Sequence, residues 1–180
     1  MSAAKNKIIL LLGGARSGKS TYAQELAGLA GGRVLFCATA EALDEEMRSR
    51  IEQHRRSRPL GWQTLEASRD VSTALGRQAS EYDAIIIDCI TILVANVMGN
   101  GSGAEDAESS VEAEILNLTE LLKRRQSNYI LVSNEVGSGL VPDNRLGRLY
   151  RDELGKANQK LAAISDEVYL LTAGIPLKLK

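Results

Sequence analysis

The stretch IILLLGGARSGKS, residues 8–20, decides how this chain folds. Five apolar residues with the character of a buried strand come first, and the turn that follows matches the pattern G-x-x-x-x-G-K-[ST]. Glycines let backbone N–H groups curl around an anion, and a helix that begins at Lys19 directs its positive N-terminal end at the same point. The stretch therefore predicts a nucleoside triphosphate site. The residues predicted to bind the phosphates are Gly13, Gly14, Ala15, Arg16, Ser17, Gly18, Lys19 and Ser20.

A Mg²⁺ ion accompanies the nucleotide in sites of this kind, and two residues are its candidate ligands. The hydroxyl of Ser20 can ligate the ion, while the amine of Lys19 can reach the β and γ phosphates. Asp88 ends the apolar run 84–87, at the place where a carboxylate holds the water shell of the metal. An Asp at a strand end also simply caps a turn, and Glu135 is a second acidic candidate at the same sheet edge, so both readings of Asp88 stay open.

Short apolar runs alternate with longer amphipathic stretches along the chain. Continuous apolar runs such as Ile85-Ile86-Ile87 are typical of strands buried on both faces of a parallel sheet. The alternation predicts the α/β class, with a mostly parallel sheet flanked by helices in the P-loop NTPase (RecA-like) architecture. We predict strands over residues 7–12, 34–39, 62–66, 84–88, 129–134, 168–171 and 176–179. We predict helices over residues 19–30, 42–58, 71–80, 107–125 and 145–165, with a mobile loop over 99–103.

Length and charge limit the class of protein. The 180 residues suffice for one domain with a core, and no repeat or linker divides them, so we predict one nucleotide-binding domain over residues 1–180. Lys plus Arg number 22 and Asp plus Glu 23, a balance that gives no broad attraction to nucleic acid or to an anionic membrane. No apolar run reaches the roughly 18 residues of a membrane span. We expect a cytoplasmic protein with no nucleic-acid partner, in which Cys37 and Cys89 are buried thiols.

The single histidine, His54, lies in the arginine-rich stretch EALDEEMRSRIEQHRRSRP, residues 41–59. Met47, Ile51 and His54 share one face of the predicted helix, which is also the pattern of a histidine with a purely structural role. Arginines suit phosphate binding, and neighbouring positive charges favour the neutral, nucleophilic form of the imidazole. The residues alone leave both roles of His54 open.

Ordered segments across nearly the whole chain, from Ile8 to Lys180, resemble one family. They are GGARSGKS (13–20), ATAEALDEEMRSRIEQHRRSRP (38–59), WQTLE (62–66), DCIT (88–91), NEVGSGLVP (134–142), RDELGKANQ (151–159) and DEVYLLTAGIPLKLK (166–180). The family is that of the bifunctional adenosylcobinamide kinase/adenosylcobinamide-phosphate guanylyltransferases of cobalamin biosynthesis. Some members carry a second histidine where this chain has Gln53, and Glu where it has Asp88.

The resemblance implies two activities. The first phosphorylates the aminopropanol hydroxyl of adenosylcobinamide with ATP or GTP, and the second transfers GMP from GTP to that phosphate, giving adenosylcobinamide-GDP and pyrophosphate. The guanylyl group passes through the histidine of R-I-x-x-H-x-x-x-R-P, which matches His54. The resemblance makes Lys19 and His54 the catalytic residues and Ser20 and Asp88 the metal ligands. Beyond the phosphate loop, it assigns nucleotide contacts to Ala38, Thr39, Ala40, Arg55, Arg56, Ser57, Arg58, Glu66 and Asp88.

The resemblance also implies a corrinoid substrate and a homo-oligomer, a trimer in the family. It leaves open the preferred phosphate donor, the base of the kinase step, and whether one chain retains both activities. The individual roles of Asn134, Glu135, Arg151 and Asp152 stay open as well. Two alternatives remain: a P-loop kinase of another small hydroxylated metabolite with no covalent histidine step, and a nucleotide-gated binding module whose switch is the loop 99–103.

Overall fold

The computed structural model describes residues 6–41, 45–56, 58–99 and 103–180. Within these ranges helices follow strands in the alternating order that the sequence predicts. The elements are β1 (Ile8–Gly13), α1 (Lys19–Ala30), β2 (Val34–Ala38), α2 (Glu45–Arg56), β3 (Gln63–Glu66), α3 (Val71–Gly76), a 3₁₀ turn (Ala79–Glu81), β4 (Ala84–Asp88), α4 (Ile90–Met98), α5 (Ala104–Lys123), β5 (Asn128–Val132), α6 (Arg145–Ile164), β6 (Glu167–Thr172) and β7 (Ile175–Lys178).

The strands of the described residues form one sheet of seven strands in the order β3-β2-β4-β5-β1-β6-β7. All neighbouring strands are parallel except β6 and β7, which form an antiparallel hairpin at the edge. The carboxyl ends of β1, β4 and β5 therefore meet at one edge, and β4 lies between β2 and β5. The α/β class, the mostly parallel sheet and the P-loop NTPase architecture are confirmed.

Both faces of the sheet are buried, as the continuous apolar strands require. The α1 face packs Ala23 and Ala27 against Ile86 and Leu11. The opposite face packs Ile85 and other strand residues against the four helices α3 to α6. None of the helices within the described residues is both long and apolar enough to cross a lipid bilayer.

The sequence prediction missed one helix and extended another too far. We predicted no element between residues 89 and 98, where the chain forms α4, because this helix is buried on nearly every side and its sequence ITILVANVM shows no polar face. The helix predicted over 71–80 ends at Gly76, and a 3₁₀ turn follows. Of the helix predicted over 42–58, residues 42–44 and 57 lie outside the described residues. The long helix predicted from 107 begins at Ala104.

Glu114 is the side chain with which α5 holds the start of α3. Its two carboxylate oxygens accept hydrogen bonds from the backbone N–H groups of Asp70 and Val71, each at 3.0 Å, and the side chain is buried. We expect Glu114→Ala to lower the free energy of unfolding by about 2 kcal/mol, because it leaves the buried N–H of Val71 and the partly buried N–H of Asp70 without an acceptor. Urea denaturation measures this loss.

The matched control is Glu112→Ala on the same helix. Glu112 forms an exposed ion pair with Lys160, so its loss should leave the urea midpoint nearly unchanged. Equal shifts for the two variants would contradict the role given to Glu114.

Candidate active site

The phosphate loop, residues 13–20, connects β1 to α1. At two of its positions the backbone conformation and the close neighbours favour glycine. Gly13 has φ 151°, and a Cβ on it would lie 2.5 Å from the carbonyl oxygen of Leu171. Gly18 has φ 96°, a left-handed conformation that directly precedes α1. The two outer glycines of the motif are thus explained by the backbone path that they allow.

The turn of the β6–β7 hairpin packs against this loop. The backbone N–H of Gly174 donates to the carbonyl oxygen of Ser17 at 3.0 Å. A Cβ on Gly18 would lie 3.1 Å from the Cα of Gly174, so the two backbones are in close contact. On the other side, the N–H of Glu135 donates to the carbonyl oxygen of Gly13 at 3.0 Å. Segments far apart in sequence therefore fix the loop.

Lys19 is folded into the loop. Only 6% of the residue is exposed. Its Nζ donates to the carbonyl oxygens of Gly13 and Gly14 at 3.0 and 2.6 Å, and to the Oγ of Ser17 at 3.3 Å. Burial lowers the pKa of Lys19, and the nearby carboxylate of Asp88 acts in the opposite direction. The ammonium group is positioned to exchange these neutral acceptors for phosphate oxygens.

A cavity of about 240 Å³ opens in front of the loop, between it and α2. The elements that line it follow the order of the strands in the sheet: the ends of β2, β4 and β5 and then the phosphate loop after β1, with Ile51 contributed by α2. Its lining residues are Ala15, Arg16, Lys19, Ser20, Phe36, Ala38, Ala40, Ile51, Arg58, Asp88, Cys89, Ile92, Val132 and Asn134.

Ser20 and Asp88 both line this cavity, and their oxygen atoms are the donor type that Mg²⁺ prefers. Asp88 is the last residue of β4 and pairs with Ala38 and Val132 of the neighbouring strands. Within the described residues no cluster of three or more His, Cys, Asp or Glu side chains could hold a metal. The residues therefore fit an ion that takes its other ligands from water and from nucleotide phosphates.

Arg58, from the arginine-rich stretch 41–59, lines the cavity together with Arg16 of the loop. Its guanidinium carbon lies 3.6 Å from the centroid of the Phe36 ring, and one of its terminal nitrogens donates to the hydroxyl of Thr64 at 2.9 Å. Burial lowers the pKa of Arg58 and the charge of Asp88 raises it. The positive charge is thus held beside the metal-ligand candidate, where a nucleotide phosphate would lie.

Arg55 and Arg56 of the same stretch do not line the cavity. Arg55 forms an ion pair with Glu66 at 3.6 Å, and Arg56 with Glu52 at 3.5 Å; none of these four side chains lines the cavity. Ser57 lies outside the described residues. His54 is described by its backbone alone, which lies in α2.

Residues 38–40, at the end of β2 and just after it, differ in whether they face the cavity. Ala38 and Ala40 line the cavity, whereas Thr39 is fully buried. The Oγ1 of Thr39 accepts from the N–H of Cys89 and donates to its carbonyl oxygen, each at 2.8 Å. Thr39 therefore joins the ends of β2 and β4, and its hydroxyl group uses both its donor and an acceptor position in hydrogen bonds with the backbone of Cys89.

Several cavity residues were missed by the sequence analysis. Phe36 lies two positions before Ala38 on the same face of β2, so strand alternation from Ala38 was a signal that could have found it. Cys89 was predicted to be buried, yet it is only half-buried and lines the cavity. Burial raises the pKa of its thiol to about 11.

Three motif residues whose roles the sequence left open do not line the cavity and form local contacts instead. The Oε1 of Glu135 accepts a hydrogen bond from the N–H of Gly137 at 2.6 Å. Arg151 and Asp152 form a local ion pair at 3.1 Å on α6.

The phosphate loop, its buried lysine and the carboxylate at the end of β4 define a P-loop protein of the α/β class. The comparison with known proteins then gives the family. Residues 9–179 match the family described as cobinamide kinase / cobinamide phosphate guanyltransferase, and the chain belongs to that family. It is accordingly a kinase and a nucleotidyltransferase, and the resemblance inferred from the sequence segments is confirmed.

Three relatives are similar over nearly their full length. The bifunctional adenosylcobalamin biosynthesis protein CobU of Salmonella typhimurium is 42% identical over 181 residues, covering 96% of this chain and 99% of the relative. The protein of the same name from Escherichia coli is 39% identical, with the same coverage. The bifunctional adenosylcobalamin biosynthesis protein CobP of Pseudomonas aeruginosa is 39% identical over 171 residues, 95% of this chain and 96% of the relative.

We expect Lys19→Ala to weaken the binding of a fluorescent GTP analogue about a hundredfold, because charge-assisted hydrogen bonds contribute about 1.5–3 kcal/mol each. The control is Lys7→Ala, which removes a lysine at the opposite end of β1, where it pairs with Glu167. This control should bind the analogue with unchanged affinity. Equal affinities for the two variants would remove Lys19 from the phosphate site.

Proposed function

We propose that this chain phosphorylates the aminopropanol hydroxyl of adenosylcobinamide with ATP or GTP, and then transfers GMP from GTP to that phosphate through a guanylyl-histidine at His54. The products of the second reaction are adenosylcobinamide-GDP and pyrophosphate. Family membership and the names of the relatives support the pair of activities. The nucleotide donors and the covalent intermediate are the finer parts of this proposal.

One observation carries the covalent route: α2 forms a wall of the cavity that the phosphate loop closes. Ile51 of α2 lines this cavity together with Lys19. His54 follows Ile51 by three positions, a spacing that brings two residues to the same side of a helix. The helix that carries the only histidine of the chain is therefore next to the predicted phosphate site.

The guanylyl transfer divides into two displacements. A neutral imidazole nitrogen of His54 attacks the α-phosphorus of GTP, and the bond from that phosphorus to the α,β-bridging oxygen breaks. Lys19 and Arg58 stabilise the negative charge that develops on the departing pyrophosphate. A phosphate oxygen of the phosphorylated corrinoid then attacks the same phosphorus, the P–N bond breaks, and His54 is regenerated.

The kinase step uses the same phosphate loop. The corrinoid hydroxyl oxygen attacks the γ-phosphorus while Lys19 holds the β and γ phosphates, and the nucleoside diphosphate departs. When bound by Ser20 and Asp88, Mg²⁺ would neutralise charge on the phosphates. Phosphoryl transfer depends mainly on positioning and electrostatic stabilisation, so it requires little assistance from a base.

A kinase without guanylyl transfer, one of the two alternatives that the sequence left open, disagrees with the family to which the chain belongs. A binding module without enzymatic activity disagrees with it too, and residues 100–102 of its predicted switch lie outside the described residues. The homo-oligomer, a trimer by resemblance, stays a prediction. All the nucleotide and metal contacts stay predictions as well, and of their residues Thr39, Arg55, Arg56 and Glu66 do not line the cavity, while Ser57 lies outside the described residues.

The test uses GTP labelled at the α-phosphate in one reaction and at the γ-phosphate in another, each with Mg²⁺ and protein. We expect the denatured chain to retain the α-label and not the γ-label, and acid to release it, because a phosphoramidate is acid-labile. His54→Ala should abolish the labelling. Gln53→Ala, at the neighbouring position of the same helix, should retain it.

Absence of covalent label in the wild-type chain, with normal formation of adenosylcobinamide-GDP, would contradict the histidine route and favour direct transfer. Label that persists in His54→Ala would place the intermediate on another residue.

A further inference from the structure

Asn134 is one of the residues that line the cavity. It follows β5, the strand that lies between β4, which ends in Asp88, and β1, which leads into the phosphate loop. Its side chain therefore shares the cavity with Lys19 and Asp88. The sequence alone leaves the role of Asn134 open.

The backbone of Asn134 is held from two helices. Its N–H donates to the Oγ1 of Thr91 on α4 at 2.7 Å, and its carbonyl oxygen accepts from the Nδ2 of Asn158 on α6 at 3.1 Å. The Oδ1 of Asn158 in turn accepts from the hydroxyl of Ser133 at 2.6 Å. Thr91, Ser133 and Asn158 are all buried. A satisfied buried polar network of this kind fixes the groups that it joins.

The side-chain amide of Asn134 is not used by this network. In the described part of the chain, the hydrogen bonds of Asn134 run through its backbone. An amide offers a carbonyl acceptor and an NH₂ donor at one place. It can therefore accept from an attacking hydroxyl and donate to a phosphoryl oxygen at the same time.

The position of Asn134 favours the γ-phosphate end of the nucleotide. The attack on the α-phosphorus is assigned in the proposed function to His54, a residue of α2. Lys19 of the loop contacts the β and γ phosphates in sites of this kind. In the sheet, β5 lies between β4 and β1, so Asn134 follows the strand next to the one that leads into the phosphate loop, whereas β2 lies on the far side of β4.

We propose that Asn134 is a catalytic residue of the kinase step, and that Thr91 and Asn158 are its positioning residues. The inference rests on the proposed function for the division between the two reactions. The amide oxygen of Asn134 accepts the hydrogen bond of the corrinoid hydroxyl, and the amide NH₂ donates to a γ-phosphoryl oxygen. A bond forms from the hydroxyl oxygen to the γ-phosphorus and the bond to the β,γ-bridging oxygen breaks. The hydroxyl proton passes to a phosphoryl oxygen, and the nucleoside diphosphate leaves.

The experiment measures the two half-reactions separately. Kinase activity is followed by transfer of γ-label to cobinamide, and guanylyl transfer by transfer of α-label to cobinamide phosphate supplied ready-made. We expect Asn134→Ala to lower the kinase rate about a hundredfold, the loss seen when one donor to a developing charge is removed, and to lower guanylyl transfer far less. Asn134→Asp keeps the shape and replaces the donor by a negative charge, so its kinase loss should be at least as large.

The matched control is Asn128→Ala, at the opposite end of the same strand. Asn128 accepts from the N–H of Lys7 and donates to the carbonyl oxygen of Asp83. Its loss should leave the ratio of the two activities unchanged. Thermal unfolding of each variant identifies any that fail to fold, and Asn134→Asp then decides in place of Asn134→Ala.

The positioning role of Thr91 has its own readout. Thr91→Val removes the acceptor for the N–H of Asn134 and should lower the kinase rate with an unchanged nucleotide Kd, whereas Thr91→Ser, which keeps the hydroxyl, should restore the rate. Equal losses of both activities in Asn134→Asp, or an unchanged kinase rate, would overturn the proposal. The γ-label assay measures the kinase rate even if the wild-type chain forms no guanylyl-histidine. Failure of the proposed role of Asn134 can therefore be distinguished from failure of the proposed histidine route.

Discussion

The rest of the site depends on the contact between the phosphate loop and the turn of the β6–β7 hairpin. At Gly18 and Gly174 the two backbones meet without side chains between them, and the N–H of Gly174 donates to the carbonyl oxygen of Ser17. The N–H of Glu135 holds the loop at its other end, through Gly13. Residues near the C-terminus of the chain therefore fix a loop near its N-terminus. Because hydrogen bonds to other segments hold the loop, its amides need little reorganisation to stabilise phosphate charge.

The parallel sheet then places two groups of residues at different distances from this loop. Farther along the sheet, β2 contributes Phe36, which stacks on Arg58, and α2 is the helix that carries His54. Nearer the loop, the chain after β5 contributes Asn134, whose backbone is held by α4 and α6. Cleavage at the α-phosphorus and cleavage at the γ-phosphorus need different groups at different ends of one triphosphate. We propose that one phosphate loop with these two groups of residues serves both activities of the family without a second nucleotide site.

Local sequence signals predicted much of this structure. The bounds predicted for β4 and α1, 84–88 and 19–30, agree with the structure, because a continuous apolar run and a glycine before a lysine mark them strongly. The phosphate loop and Asp88 were found in the same way. The helix α4 was missed because its burial depends on α5 and α6, which pack against it and remove the need for a polar face. Thr39 and Asn134 look alike in sequence, as polar residues at strand ends. Only the packing of neighbouring elements shows that the Thr39 side chain is engaged and that the Asn134 side chain lines the cavity.

We propose that one cavity binds the nucleotide for both reactions, and competition by an unreactive nucleotide analogue tests this proposal. The β,γ-imido analogue of ATP cannot transfer its γ-phosphoryl group and is not a guanylyl donor. Its inhibition constant would be measured against GTP in the kinase assay and in the guanylyl-transfer assay, and its stoichiometry by equilibrium titration. The account predicts one analogue bound per chain and the same inhibition constant in both assays. Two analogues per chain, or inhibition of only one activity, would contradict it.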